Sequence, residues 1–268
     1  MPSVAPRRHA FTLVEILVAI AIIGILIGLL IPAIEKARHN TYIATCASNL
    51  QQIGQQLVMY ASTNHGDFPR TRYAEDDTAI RFGTGGAATD PFASDGPQAN
   101  DVTAAVFLLM RVQKLPPKLF ICAYNDVNVF EPDRADVARR SNFTDYRKNL
   151  GYSFANPYPS AAATRAGYRW STHVRPDFAI AADINPGRDG TDDDVTAPTP
   201  GAPQAVQEKG LSRNHEKEGQ NVLYGDGHVQ WQTSCLSGAK QDNIYMNRQA
   251  QILASPVDAD DSVLLPVN

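Results

Sequence analysis

FTLVEILVAIAIIGILIGLLI, residues 11–31, is the stretch on which the fold turns. It carries 21 residues and one charge, Glu15, and as a helix it is long enough to cross a hydrocarbon core of about 30 Å. Arg7 and Arg8 stand just before it, followed by His9 and Ala10. Arginine on that flank favours a cytoplasmic N-terminus and an exported C-terminal bulk. An ordinary secretory signal has a shorter apolar run and is cut after it, near small residues. A plain signal anchor explains the length and the flank but not Glu15. An ionisable group inside a span costs about 2.5–3.5 kcal/mol near the centre, and less near an end. A cut between Ala10 and Phe11 supplies the missing reason. The new α-amino group of Phe11 is a cation at the membrane edge, one helical turn from Glu15, and the two can pair within a subunit or between neighbours.

Arg7-Arg8-His9-Ala10-Phe11-Thr12-Leu13-Val14-Glu15 followed by an apolar stretch resembles the type IV prepilin processing motif. The resemblance implies that a dedicated aspartic peptidase cuts before Phe11 and methylates the new amine. That family usually has Gly before the cut; Ala10 stands there in this chain. Pro32 falls 22 residues into the mature chain, where many pilins carry a proline that removes one intrahelical hydrogen bond and bends the helix. The leader is then 1–10, and 11–31 is the membrane half of the first helix.

After Pro32, Ile43, Cys46, Leu50, Ile53, Leu57 and Tyr60 recur at spacings of three and four, which gives one apolar stripe. Gln51, Gln52, Gln55 and Gln56 fall off it. Residues 32–61 therefore read as an amphipathic continuation, and Asn64-His65-Gly66 as its stop. One helix over 11–61 measures roughly 75 Å; the alternative is two helices broken at Pro32. The remainder, 62–268, reads as an exported globular head. The expected fold class is α+β and pilin-like, a long N-terminal helix packed on a small antiparallel sheet. Residues 102–114 suit a second helix. Strand patterns appear at 150–154, 178–182, 220–224 and 228–232, the last two forming a hairpin around Asp226-Gly227. Residues 83–103 and 185–209 read as loops.

Cys46-x-x-Asn49-Leu50, then Tyr60, Gly66, Phe68 and Pro69, resemble more than a generic pilin. They are similar to a large prepilin-like family of planctomycetes and related bacteria that also carries a C-terminal His-x9-Asp-Gly motif. Cys122-Ala123-Tyr124-Asn125-Asp126 resembles that family's Cys-Pro-Ser-Asp turn, with its middle residues replaced. His215, Asn221, Asp226, Gly227 and His228 match the C-terminal motif, but ten residues separate His215 from Asp226. The extra residue falls in Glu216-Lys217-Glu218, ahead of the hairpin.

His215, Asp226 and His228 are also respectable zinc ligands. Against that, Asp-Gly is what a type I′ turn demands, because both central positions need φ > 0. Asp183, Asn185, Asp189 and Asp194 place oxygens at the first, third, seventh and twelfth positions of a calcium-like loop, although its Gly is misplaced and no Glu closes it. A solvated acidic loop is the plainer reading of the same residues. Cys46, Cys122 and Cys235 are too few for a disulfide framework; Cys122 with Cys235 is one possible bridge, and buried thiols are the other reading.

The net charge of −4 comes from scattered residues with no basic stripe, so nucleic acid is not an expected partner. No nucleophile or Gly-rich phosphate loop accompanies the histidines, so no enzyme is expected and no cofactor beyond a possible calcium. The expected role is a pilin or pseudopilin subunit of a type II secretion or type IV pilus-like system. Its expected partners are a prepilin peptidase, other pilin-type subunits and inner-membrane lipid, with the N-terminus cytoplasmic and the head periplasmic. The alternative is a membrane-tethered exported protein that binds a carbohydrate or surface ligand without polymerising.

Overall fold

The computed structural model describes residues 13–124, 134–187, 195 and 198–267. Its first element, α1, runs unbroken from Leu13 to Thr63 with Pro32 inside it. Proline costs one hydrogen bond in a helix interior, and here it does not end the helix, so the two-helix alternative falls. Asn64 closes α1 by donating from Nδ2 to the Tyr60 carbonyl at 2.7 Å. His65 and Gly66 follow with φ of 56° and 87°, the left-handed exit that a helix end commonly takes. The chain divides into two compact units, Met1–Thr41 and Tyr42–Asn268, with the division falling inside α1.

Within the second unit, the stripe of α1 is the face that packs. Cys46, Leu50 and Ile53 are fully buried, and Leu57 and Tyr60 nearly so, whereas Gln51, Gln52 and Gln55 face solvent. The helix lies close on the sheet because Gly54 has no side chain: a Cβ there would sit 2.8 Å from Leu223 Cδ1. Val102–Val112 forms α2. Its apolar residues run all round, so it is a helix that must be enclosed, and Val102 through Met110 are all buried. Asp101 caps it, accepting from Ala104 N at 3.0 Å. The same carboxylate also binds Thr84 Oγ1 at 2.6 Å and Asn142 Nδ2 at 3.0 Å. Leu57 of α1, Val106 and Leu109 of α2 and the side chain of Phe154 border a small gap of about 20 Å³.

The sheet holds five antiparallel strands: β1 (Tyr152–Ala155), β2 (Ala179–Asp183), β3 (Gln220–Tyr224), β4 (Val229–Gln232) and β5 (Leu264–Leu265), in the order β4-β3-β2-β1-β5. Tyr152 pairs with Asp183, and Ala182 with Val222. The α+β expectation holds, with one strand more than the sequence pattern offered. The β3–β4 hairpin differs from expectation in its turn. Gly227 N donates to the Tyr224 carbonyl, and Tyr224 N to the His228 carbonyl. Of the loop residues only Gly227, at 87°, has positive φ. This is a three-residue loop, a type I turn followed by a left-handed glycine, and not type I′.

Candidate functional site

Two regions carry most of the residues that matter here, and the others lie apart. In the first, Ala10 and Phe11 lie outside the described residues. Glu15 sits in the first turn of α1, at the end where the helix dipole favours an anion. From Leu13 to Ile31 the large apolar side chains are exposed, Leu13 by 75 % and Leu29 by 72 %. The segment is long and apolar enough to cross a membrane.

The second region is inside the head. Cys46 on α1, Cys122 just after the 3₁₀ turn Pro117–Phe120, Asp183 at the end of β2 and His215 in the 3₁₀ turn Asn214–Lys217 converge. All four are fully buried, and one ligand atom from each lies within 4.8 Å of the others. Cys46 Sγ meets Cys122 Sγ at 2.7 Å. Cys122 Sγ lies 3.6 Å from His215 Nε2, which lies 3.7 Å from Asp183 Oδ1. Asp183 is oriented by three donors: Asn221 N at 2.7 Å, Asn221 Nδ2 at 3.3 Å and Asn214 Nδ2 at 3.1 Å. Asn221 Nδ2 also reaches the Ile43 carbonyl at 3.3 Å, which ties β3 to α1. The rings of Tyr124 and Trp231 flank the imidazole, with centroids 5.5 and 5.6 Å away.

Four ionisable groups meet here. The hydrogen bond from Cys122 holds the Cys46 thiol below its usual range, and the same contact pushes Cys122 well above it. Burial opposes a charged His215, but its hydrogen bonds and charge pairing with Asp183 and Cys46 outweigh that and lift it to about 9. The backbone is strained at the same place. His215, Glu216 and Lys217 take φ of 56°, 59° and 62°, three non-glycine residues in the left-handed region, each costing roughly 1 kcal/mol or more.

The remaining expectations separate. Asp226, Gly227 and His228 lie at the opposite end of β3 from Asn221, on the exposed hairpin turn. There His228 Nδ1 pairs with Asp226 Oδ1 and its ring stacks on Tyr224 at 4.6 Å. They form no common site with His215, because the strand holds them apart, and the zinc set His215–Asp226–His228 is corrected accordingly. Of the calcium set, Asp189 and Asp194 lie outside the described residues. Asp183 faces the thiols. Asn185 spends its amide on the Tyr245 and Leu264 carbonyls and its oxygen on Gly187 N. The thiol that Cys122 meets is Cys46, not Cys235, and all three cysteines are free. Cys46 and Cys122 as partners of His215 were missed by sequence reading, although both lie in segments that carried the family resemblance.

Residues 5–31 match the family described as the prokaryotic N-terminal methylation motif. That match accords with a prepilin-like protein, and it coincides with the exposed apolar half of α1 and with Glu15. No curated protein and no solved structure matches the chain.

Proposed function

We propose that the chain is a pilin- or pseudopilin-type structural subunit, cut between Ala10 and Phe11 by a prepilin peptidase, methylated on Phe11 and assembled in a type II secretion or type IV pilus-like system. Its work is assembly rather than catalysis. The observation that carries this reading is the methylation motif over 5–31 together with the carboxylate of Glu15 in the first turn of the apolar helix. Before assembly the helix sits in the inner membrane, with the N-terminus cytoplasmic and the head periplasmic. After cleavage Glu15 recruits the subunit to a neighbour's Phe11 amine, since an acid in hydrocarbon needs a cation close by. Pro32 lets the helix bend where subunits stack.

A Glu15→Val chain is expected to insert and to be cut, with N-terminal sequencing starting at Phe11, yet to co-assemble at least tenfold less than wild type. Normal co-assembly of that variant, or a mature chain that keeps Arg7 and Arg8, would sink the proposal. A second reading, a tethered binding protein, draws on a cleft of about 450 Å³ edged by Asn64, His65, Asp67, Arg70 and Arg169. Cysteines placed along the apolar helix separate the two readings: a polymerising subunit gives ladders of cross-linked species, and a tethered monomer gives none.

A further inference from the structure

The geometry points to a structural zinc-type site in the head, formed by Cys46, Cys122, Asp183 and His215 as a closed set of two thiolates, one imidazole and one carboxylate. It is independent of the filament reading, because every ligand belongs to the second compact unit.

Four lines of observation converge. The donor chemistry fits: two sulfurs and an imidazole with one carboxylate suit a borderline-soft divalent ion better than calcium or magnesium, which prefer oxygen. The spacing fits. Tetrahedral zinc, with bonds of about 2.0–2.3 Å, sets its ligand atoms about 3.3–3.8 Å apart; here Cys122 Sγ to His215 Nε2 is 3.6 Å and His215 Nε2 to Asp183 Oδ1 is 3.7 Å. The sulfurs, at 2.7 Å, must open by about 1 Å, a small swing of either cysteine side chain.

The supporting shell is present as well. Asp183 takes hydrogen bonds from Asn214 and Asn221, the kind of outer contact that fixes a ligating carboxylate. Tyr124 and Trp231 wall the imidazole on its flanks. Finally, enclosure decides between uses of the same residues. A thiol, an imidazole and a carboxylate also make a nucleophile with its base, but all four groups are fully buried, so a substrate has no approach. Four protein ligands around one ion leave no open position, which is the signature of a structural site.

Loading is balanced without redox chemistry. The two thiol protons, and the imidazolium proton where present, pass to solvent as two Zn–S bonds, one Zn–N bond and one Zn–O bond form. The ion would clamp α1 through Cys46 to the end of β2 through Asp183, and would hold the left-handed turn at His215 in place.

The test uses the full chain, extracted in detergent under reducing, chelator-free conditions. Wild type and Cys235→Ser are expected to hold about one zinc per chain, and Cys122→Ser at least tenfold less. Cobalt in place of zinc should give a thiolate charge-transfer band in wild type that Cys122→Ser lacks. EDTA should lower the wild-type melting temperature, and added zinc should restore it. Reduced wild type that takes up neither zinc nor cobalt overturns the proposal even if Cys122→Ser fails to fold. So does a Cys46–Cys122 disulfide in protein isolated from the envelope, or undiminished zinc in a folded Cys122→Ser chain. A Glu15→Val chain should bind zinc normally, so failure of assembly and failure of metal binding are read separately.

Discussion

The two stretches of α1 on either side of Thr41 share a backbone and little else. From Leu13 to Ile31 apolar residues cover the whole circumference, and Ile22 is 53 % exposed. From Tyr42 onward the buried apolar residues form one stripe, with Val58 and Met59 exposed off it, and Leu50 is fully buried in the head. Helix formation is therefore the same event in both, and what differs is the solvent each half is built for. An all-round apolar helix suits lipid or other helices, and a striped one suits a surface with core on one side.

The largest break in that comparison should come from paired truncations. Leu50→Ala removes fully buried atoms and leaves a cavity, so the head of the full chain in detergent should lose about 2–5 kcal/mol by denaturant melting. Ile22→Ala should leave that melting unchanged; an equal loss would show that both halves serve the head core. Next, Gly54→Val sharpens the reason α1 can approach β3. A Cβ already lies 2.8 Å from Leu223, so overpacking should cost roughly 1–3 kcal/mol. Gly28→Val, with nothing within 4 Å of its Cβ position, should cost the head nothing.

An effect of similar size to that of Gly54→Val is a pH dependence confined to the head. Burial pushes the Asp242 carboxyl up to about 8, the charge of Asp261 adding to it against the Ser262 amide and Arg248. An unfolded Asp titrates near about 3.9. The folded state thus holds the proton over a window where the unfolded state has lost it. Stability is greatest below that window and falls as pH rises from about 4 through about 8. Asp261, pushed up to about 6 by burial, acts in the same direction over the lower part. Asp242→Asn should flatten the decline by roughly 1–3 kcal/mol between pH 5 and pH 8. A decline that is unchanged in Asp242→Asn would assign it to other groups.

Legibility follows the range of the contacts. The stripe of α1, α2 and strands β1 to β4 were readable because each is announced by a local apolar period or a short apolar run bounded by turn residues. β5 was not, since Leu264–Leu265 is too short to show any. The hairpin was placed correctly and its turn type was not. The strand bounds already left Gly225, Asp226 and Gly227 as loop, and only the backbone bonds of Tyr224 with Gly227 and His228 show which turn they make.

By itself the sequence determined the long apolar helix, the methylation motif at its start and the striped face that packs in the head, because hydrophobic period and terminal charge act within a few residues of chain. The tertiary structure decided which polar residues meet. Cys46 and Cys122 are separated by 76 positions, and Cys122 and His215 by 93. No local pattern records that β2, β3 and α1 bring them to one dry point. Convergence of that kind is a property of packing, where the enclosed volume and not the neighbouring residue sets the partner.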